Sequence, residues 1–462
     1  MAHIVCITGG LTGIFHASLA LVQQLTQAGH RVTYASPHDF RQAVTAQGID
    51  YVQLDRWLVQ PADPPMSRWQ KLLTLQARQQ RAVDELGVQS FAQTLQNLEP
   101  DLVLIDMEMT PHIMAGVMSG LPMVLLCQFL SIWKRPCLPA ISSPIMPAKD
   151  RWGRWLRAEL SWLRNGFTTW KAAQQQRWVR VGLDRRSIWG CYARQIGYPF
   201  SEQSGFTQWL IPFGQGQLPV LCFNASELDF PHEPHPLMHY AGPMVSEARQ
   251  NSRVTPDTWK ILEQRFENRR SRGRTLIYCS CSTFAKGHRQ WLSKVIAAVA
   301  DCPEWDLVVG LGNQLDREQL GTLPPTVYAF GWVPQLEVLK QADCAVVNAG
   351  INTINECIDS GVPMLVYSLG HADQNGNAAR VAYHGLGIVG DREQDTAGQI
   401  RDSIRTLLIE PSYRNCVEQM CDRTRRYRHE QRAAQIVEAL LAKQKRSPAK
   451  TESPPRHAQS IP

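Results

Sequence analysis

The sequence predicts an α/β fold built from two Rossmann-like halves, and three observations support this. Short apolar runs bounded by Gly and Pro recur along the chain, as expected for parallel strands that helices cover on both faces. Stretches with a helical pattern separate these runs, which is the order of βαβ units. The length of 462 residues is sufficient for two domains with separate cores.

The chain opens with a βαβ unit. The predicted strand, helix and second strand are Ile4–Thr8, Ala17–Ala28 and Arg31–Ala35. The glycines between the first strand and the helix are also compatible with a nicotinamide site, which would require an acidic residue at the end of the second strand. Asp39 lies further on, in a loop after Pro37. A nicotinamide site is therefore disfavoured.

Composition limits the class of protein. Apolar residues make up 44% and charged residues 19%, which is ordinary for a globular chain. Twelve scattered cysteines without a CxxC pair are typical of reduced thiols in a cytosolic protein. The first residues lack a basic segment followed by an apolar one, so no signal peptide is expected. The uncharged run Met109–Trp133 could span a membrane by length, but its Gly and Pro residues favour a helix, a turn and a buried strand.

The segment from Lys134 to Arg194 is basic and rich in Trp. It holds thirteen Lys or Arg residues against three acidic ones. An apolar stripe with helical spacing runs from Trp152 to Trp170, and Arg151, Arg154 and Arg157 lie alongside it. Three interpretations remain open: packing into the core, contact with an anionic membrane or an apolar acceptor, and a nucleic-acid groove. The first two are favoured, and no nucleic-acid partner is expected.

The most specific stretch runs from Gly331 to Asn377. After a loop at Trp332–Gln335, the predicted elements are a short helix, a strand, a helix and a strand at Leu336–Gln341, Cys344–Val347, Gly350–Ser360 and Met364–Tyr367. Where the first strand feeds the second helix, free backbone N–H groups and the helix dipole favour an anion. The residues at that junction are Asn348, Gly350, Asn352 and Thr353.

Other side chains of this stretch suit a nucleotide sugar. Trp332 can stack on a base, and Glu356 falls one turn into the helix, within reach of a sugar hydroxyl. Asp373 and Gln374 can bind further hydroxyls. The combination predicts a nucleotide-sugar pocket; the alternative is an ordinary βαβ unit with a glycine turn.

These residues resemble the donor signature of the UDP-dependent glycosyltransferases of family 1, which have the GT-B fold. The matching residues are Trp332, Pro334, Gln335, Gly350, Asn352, Thr353, Glu356, Gly361, Val362, Pro363, Asp373, Gln374 and Asn377. The resemblance implies two Rossmann-like domains that face each other across a cleft. It assigns acceptor binding to residues 1–243 and donor binding to residues 256–425, and a C-terminal helix at 426–446 crosses back to the first domain. The polar tail 447–462 is expected to be disordered.

The resemblance also assigns the phosphate contacts. The signature His, which contacts the donor phosphates in the family, is Asn348 here, and Asn cannot carry a charge. Ser280, Ser282 and Thr283 occupy the place of a Gly-Ser loop that contacts donor phosphate, so Thr283 is a predicted donor-binding residue.

The catalytic candidates follow from the same resemblance. The general base of the family, a His or in some relatives an Asp, falls on Ile14, which cannot take a proton. His16 lies two residues further on and is the predicted replacement; otherwise it only lines or caps the first helix. Asp106 ends the predicted strand Leu102–Ile105 and matches the Asp that supports the basic His. If His16 cannot reach the acceptor, Asp106 or Glu108 is the expected base.

The resemblance implies an inverting transfer of a sugar, glucose by analogy, from a UDP-sugar. The basic, Trp-rich segment and the same analogy favour a hydroxyl of an apolar acceptor, such as a carotenoid, a sterol-like compound or another lipid alcohol. No metal and no cofactor beyond the UDP-sugar co-substrate are expected, because GT-B enzymes stabilise the leaving diphosphate with a helix N-terminus and side chains. The expected location is cytoplasmic, with peripheral membrane contact through residues 133–194. The alternatives are a catalytically impaired homologue that binds a nucleotide sugar or lipid, and a UDP-sugar epimerase.

Overall fold

A computed structural model describes residues 1–10, 12–58, 65–200, 218–245, 254–281, 288–312, 315–370 and 373–446. Two predicted features lie outside these ranges: the phosphate-contacting residues Ser282 and Thr283, and the tail 447–462. Two parallel sheets with flanking helices organise the described residues. The α/β architecture predicted from the sequence is therefore confirmed.

The first sheet is formed by the N-terminal half of the chain. Its strands are β1 (His3–Ile7), β2 (Arg31–Ser36), β3 (Asp50–Gln53), β4 (Leu102–Asp106), β5 (Met123–Cys127), β6 (Val220–Cys222) and β7 (Met238–Tyr240). All are parallel, in the spatial order β3-β2-β1-β4-β5-β6-β7. The helices are α1 (Thr12–Gln27), α2 (Arg41–Thr45), α3 (Arg68–Leu73), α4 (Leu75–Asp84), α5 (Phe91–Leu98), α6 (Thr110–Met118), α7 (Arg151–Arg180) and α8 (Arg185–Ile196).

The second sheet is formed by the C-terminal half. Its strands are β8 (Thr275–Ser280), β9 (Trp305–Gly310), β10 (Val327–Phe330), β11 (Cys344–Asn348), β12 (Met364–Tyr367) and β13 (Gly387–Gly390). They are parallel in the order β10-β9-β8-β11-β12-β13. The helices are α9 (Pro256–Arg272), α10 (His288–Ala300), α11 (Gln335–Leu339), α12 (Ile351–Asp359), α13 (Gln374–Tyr383), α14 (Ala397–Ile409), α15 (Pro411–His429) and α16 (Arg432–Arg446). Single 3₁₀ turns occupy Ser226–Leu228 and Arg317–Leu320.

The strand orders fix where a ligand can bind. In each sheet the order reverses between two neighbouring strands, β1 and β4 in the first and β8 and β11 in the second. Open parallel sheets bind ligands outside the carboxyl ends of the strands at such a switch point. The two switch points face each other, because residues that follow β1 and β4 and residues that end β8 and β11 line one cleft.

The end of the chain returns to the first domain. Buried residues of α16 join the core around β1 and α1, among them Ala433, Val437 and Leu441. The C-terminal helix expected at 426–446 is divided, because α15 ends at His429 and α16 begins at Arg432. Gln431 between them has φ of 47°, a left-handed conformation that ends α15 and redirects the chain.

A buried ion pair joins the two domains. Asp229 follows the 3₁₀ turn of the first domain and accepts hydrogen bonds from Arg380 of α13, at 2.8 Å from Nε and 2.5 Å from Nη2. Both side chains are almost fully buried, at 2% and 1% exposure. Nearby, Asn355 Nδ2 donates to Asn224 Oδ1 at 2.8 Å. The domains are therefore held together by satisfied polar contacts.

Two predictions about the first domain have clear outcomes. The run Met109–Trp133 contains α6, a turn and β5, as predicted. Among the described residues, no helix is long and apolar enough to cross a bilayer. The first helix begins at Thr12 rather than near Ala17, so Ile14 and His16 lie within its first turns instead of in a loop.

The basic, Trp-rich segment contains both buried and exposed rings. Trp133, Trp162 and Trp189 are buried in the first domain. Trp152 and Trp178 on α7 are 76% and 66% exposed. Core packing thus explains only part of the segment, and the remaining rings form a solvent-facing surface.

Candidate active site

A cleft of about 410 Å³ lies between the two sheets. It is lined by the start of α1, the residues after β4 and β5, and the ends of β8 and β11. Every predicted site residue that the structure describes lines it, with the exception of Asp106. These residues are His16, Trp332, Gln335, Asn348, Gly350, Asn352, Thr353, Glu356, Asp373 and Gln374.

One end of the cleft holds a carboxylate fixed by an amide. Gln335 at the start of α11 donates its side-chain N–H to Glu356 of α12. The same amide accepts a hydrogen bond from Tyr278 Oη at 2.9 Å. Trp332 lies half-buried in the same wall. A ring and an oriented carboxylate in one wall provide a stacking surface and an acceptor for paired hydroxyls, as a nucleoside requires.

The N-terminus of α12 points into the centre of the cleft. Gly350 precedes the helix, and no side chain among the described residues caps it. A Cβ built on Gly350 would meet nothing within 4 Å, and its φ of −74° is open to any residue. Because glycine has no side chain, it leaves open space beside the N–H groups of the first helical turn, where an anion can approach the backbone. Thr353 stands in the first turn of the helix.

Asn352 has a different environment from the one expected. Its Nδ2 donates to Gln128 Oε1 of the first domain at 2.9 Å. A Cβ on Gly13 would come within 2.6 Å of the same nitrogen. The prediction placed Asn352 on the donor; in the structure it also bridges the cleft, and the absence of a side chain at position 13 allows this close approach.

Asn348, which replaces the expected His, is held at both ends of its amide. Its Nδ2 donates to the carbonyl oxygen of Ser280 at 3.0 Å. Its Oδ1 accepts from Arg392 Nη1 at 3.2 Å, and the Arg392 guanidinium lies 4.5 Å from the centre of the Trp291 ring. The charge that a His could carry is absent at position 348, but an arginine stands directly behind it.

Asp373 is held in place at the start of α13. Asn377 Nδ2 donates to its Oδ2 at 2.7 Å and also to the carbonyl oxygen of Ala349 at 3.0 Å. Burial raises the pKa of Asp373 to about 6. Gln374 Oε1 accepts from the backbone N–H of Leu369 at 2.8 Å. Asn377 therefore fixes the Asp373 carboxylate relative to the turn before α12.

The predicted catalytic residues separate into two environments. Ile14 is only 1% exposed and packs in the core, whereas His16 lines the cleft. Asp106 is buried; its Oδ2 accepts from Gly9 N at 3.2 Å and its Oδ1 from Glu108 N at 3.0 Å. Glu108, two residues later, lines the cleft. Asp106 thus supports the loop behind the site, and the expectation that it could itself act as the base is not compatible with its burial and backbone partners.

The sequence reasoning missed Tyr278, Gln128 and Arg392. Gln128 directly follows β5, and the rule that strand carboxyl ends bind ligands could have identified it. Tyr278 lies inside a strand that reads as uniformly buried. Arg392 follows β13, far along the chain from Asn348. The sequence alone carries no local signal for these two contacts.

Comparison with known proteins agrees with this geometry. Residues 293–440 match the C-terminal domain of the erythromycin biosynthesis protein CIII-like family. Oleandomycin glycosyltransferase of Streptomyces antibioticus is 25% identical over 95% of this chain and 91% of its own length. Zeaxanthin glucosyltransferase of Pantoea ananas is 23% identical over 96% of each chain. The crystal structure of the glycosyltransferase VinC in complex with dTDP superposes with a TM-score of 0.59 at 21% identity, covering 96% of this chain and 100% of the other.

Two facing Rossmann-like domains with a nucleotide-sugar cleft between them define a GT-B glycosyltransferase, an enzyme that transfers a sugar from a nucleotide sugar. The matches extend over nearly the full length of the chain. The chain has the GT-B fold, and along nearly its whole length it is similar to glycosyltransferases that resemble those of family 1.

Proposed function

We propose that this enzyme transfers a sugar, with glucose the first candidate, from a UDP-sugar to a hydroxyl of an apolar acceptor, with inversion at the anomeric carbon. One observation carries the proposal: Tyr278, Gln335 and Glu356 are linked by hydrogen bonds. Trp332, Asp373 and the N-terminus of α12 line the same cleft as this linked set. Trp332 stacks on the base, Glu356 binds the ribose hydroxyls, and Asp373 with Gln374 binds the sugar. The zeaxanthin glucosyltransferase relative supports glucose and an apolar alcohol.

The chemistry follows from the positions of these groups. The diphosphate lies at the N-terminus of α12, near Gly350 and Thr353, where the helix dipole stabilises the charge that grows as the leaving group departs. A base on the first-domain side of the cleft takes the proton of the acceptor hydroxyl. His16 stands in that wall, and Asp106 supports the loop behind it. Thr283, which lies outside the described residues, remains a proposed phosphate contact, and no metal or cofactor is required by this mechanism.

A direct assay tests the proposal. The purified enzyme is incubated with UDP-glucose, other UDP-sugars and dTDP-sugars, each with a series of apolar alcohols. Products are identified by mass spectrometry, and their anomeric configuration is determined by NMR. We expect a β-linked product from UDP-α-glucose. Transfer only from dTDP-sugars would overturn the UDP assignment, and a retained configuration would overturn inversion.

The assay also separates transfer from binding alone. A homologue that binds a nucleotide sugar without transferring it is favoured by two observations: Ile14 stands in the core in place of a base, and Asn348 replaces a charged residue. In that case calorimetry would detect UDP binding while every donor and acceptor pair gave no product. Arg392 behind Asn348 and the acidic residues in the opposite wall favour transfer.

We further propose a peripheral contact with an anionic membrane at the cytoplasmic face, through the segment 133–194. Helix α7 buries Ala158, Ser161, Trp162, Asn165 and Gly166 against the domain. An apolar stripe on its opposite face repeats every three or four residues and is exposed. The stripe consists of Trp152, Leu156, Leu160, Leu163, Phe167 and Trp170.

Positive charge flanks this apolar stripe. Arg157, Arg164 and Lys171 recur at seven-residue intervals along one side and are exposed. Glu159, an acidic residue beside the stripe, is paired with Lys134 at 2.5 Å. An exposed apolar face with a basic flank is the pattern of a helix that lies in a membrane interface, and the row of cationic side chains favours anionic lipids.

The apolar surface continues beyond α7. The guanidinium of Arg68 at the start of α3 lies 3.4 Å from the centre of the Trp178 ring, so the two helices adjoin. On α3, Trp69 is 78% and Leu73 85% exposed. A bilayer is a planar partner able to cover both helices at once, and it is also where a lipid alcohol acceptor is dissolved.

Replacing Leu163 and Phe167 together with Glu is expected to reduce binding to vesicles of phosphatidylglycerol and phosphatidylcholine by on the order of tenfold or more, because two inserted apolar side chains are lost. Cosedimentation measures the vesicle binding, which should weaken as salt screens the row of basic side chains. Both residues are exposed, at 67% and 61%, so folding should be retained.

Ile409→Glu provides the matched control, because Ile409 is 66% exposed on α14 of the other domain. Unchanged vesicle binding by the Leu163 and Phe167 variant would contradict the surface assignment. A change in its elution volume, with no vesicle binding by the unmodified enzyme, would instead identify the stripe as a contact between copies of the chain.

A further inference from the structure

The cleft contains a carboxylate that is well placed to act as a base. Glu108 follows the carboxyl end of β4 and lines the cleft together with His16 and Asp373. Its backbone N–H is fixed by Asp106, whose other oxygen holds the backbone of Gly9. Asp106 therefore anchors the base of the loop and sets the position from which the Glu108 side chain extends.

We propose that Glu108 is the general base of the transfer reaction and that Asp106 is its positioning residue. This assignment rests on the proposed function. The Glu108 carboxylate takes the proton from the acceptor hydroxyl as the acceptor oxygen forms a bond to the anomeric carbon. The bond from that carbon to the diphosphate oxygen breaks, and its electron pair leaves with the nucleoside diphosphate.

Charged groups from three directions act on Glu108. Burial raises the pKa of Glu108 most, followed by the carboxylate of Asp106, and Asp373 of the opposite domain raises it further. Arg185 at the start of α8 lowers it, and the resulting pKa is about 7. His16 of α1 lines the same cleft. A carboxylate with a pKa near neutrality is basic enough to take a proton and is still ionised at the working pH.

The location also suits the reaction. Glu108 interacts electrostatically with Arg185 on the acceptor side and with Asp373 on the donor side. Glu108 lines the cleft from the first domain and Asp373 lines it from the second, so Glu108 lies on the side from which an acceptor hydroxyl would approach a donor sugar held by Asp373. The alternatives are less suitable, because Ile14 cannot take a proton and Asp106 is buried with both oxygens bound to backbone N–H groups.

Glu108→Gln should lower kcat by about 100- to 10,000-fold, the usual contribution of a general base, while UDP affinity measured by calorimetry stays unchanged. Glu108→Asp should recover part of the rate, since it restores a carboxylate. His16→Ala is expected to lower kcat less. Glu418→Gln, an exposed acidic residue on α15, serves as the control. A Glu108→Gln enzyme that keeps more than a tenth of the rate would overturn the assignment.

The pH profile gives a second, independent readout. The base works when ionised, so kcat/KM of the unmodified enzyme should fall as the pH drops through about 7, and this fall should be absent in the residual activity of Glu108→Gln. Arg185→Gln removes the cation that lowers the pKa and should move the fall to higher pH. If the fall disappears in His16→Ala instead, His16 is the base and Glu108 is not.

The two proposals fail in different ways. An unmodified enzyme that transfers no sugar from any donor would overturn the proposed function and this assignment with it. An enzyme that transfers sugar equally well with Glu108→Gln would leave the proposed function intact and overturn only the base. Loss of UDP binding in Glu108→Gln would also overturn the assignment of Glu108 as the base, since the residue would then act on the donor site or on folding.

Discussion

Replacing Arg380 with Met is expected to lower the free energy of unfolding by about 3–5 kcal/mol, because it leaves a buried carboxylate without its cation. Asp229 is the partner, and the pair is almost fully enclosed between the domains. Arg380 also donates to the carbonyl oxygen of Gly376 at 3.0 Å and lies over the ring of Phe230 at 4.3 Å. Denaturant titration followed by circular dichroism measures the change.

Arg401→Ala is the matched control. Arg401 pairs with Asp301 at 2.5 Å, but Asp301 is 65% exposed. Surface pairs of this kind contribute about 0–1 kcal/mol. A double variant with Asp229→Asn and Arg380→Met should recover part of the lost stability, because the unpaired charge is then removed. Equal effects for Arg380 and Arg401 would show that the buried pair does not hold the domains together.

Glu356→Ala is expected to weaken UDP binding by about 10- to 150-fold, which corresponds to the 1.5–3 kcal/mol of a hydrogen bond to a charged group. Gln335 fixes the carboxylate, so the ribose hydroxyls meet an acceptor that is already oriented. Trp332→Ala should weaken binding as well, by the 1–3 kcal/mol typical of base stacking on an aromatic ring. Isothermal titration calorimetry with UDP measures both affinities.

Glu337→Ala tests whether these losses are specific. Glu337 lies on α11 beside Gln335 but pairs with Lys340 at 3.0 Å at the surface. Its removal should leave UDP affinity unchanged. If Glu337→Ala and Glu356→Ala were equivalent, or if neither changed the affinity, the donor would have to bind elsewhere in the cleft.

Much of the wall that we assign to the donor could be predicted from sequence to lie together, because it is contiguous along the chain. Residues from Trp332 to Gln374 lie on successive loops at one edge of one sheet, so their spacing along the chain already determines that they meet. Gly350 and Thr353 illustrate this, since a strand that feeds a helix places both at the same helix N-terminus.

The contacts between domains could not be predicted in the same way. Asn352 meets Gln128, and Arg380 meets Asp229, across sequence separations of 224 and 151 residues. No local pattern links such pairs, because they depend on how two separately folded sheets are placed. Asp106 illustrates the same limit: the sequence placed it at the end of a strand, but its hydrogen bonds from the backbone N–H groups of Gly9 and Glu108 could be found only in the structure.

The stripe on α7 shows a further limit of periodicity. The spacing of Trp152 to Trp170 predicts one apolar face, but it cannot tell whether that face lies inward or outward. The answer depends on Trp162 and Ala158, which occupy the opposite side and pack against the domain. When a helix has two apolar faces, only the tertiary contacts show which face is buried and which is exposed.

The position of Arg380 on α13 has a consequence for the order of binding. The helix carries Asp373 and Gln374 at its start and Arg380 within the next two turns, so the proposed sugar contacts and the interdomain ion pair belong to one rigid element. By thermodynamic linkage, a ligand that stabilises this helix in its paired position also stabilises the contact between the domains. An intact sugar nucleotide should therefore raise the melting temperature more than UDP does at equal saturation.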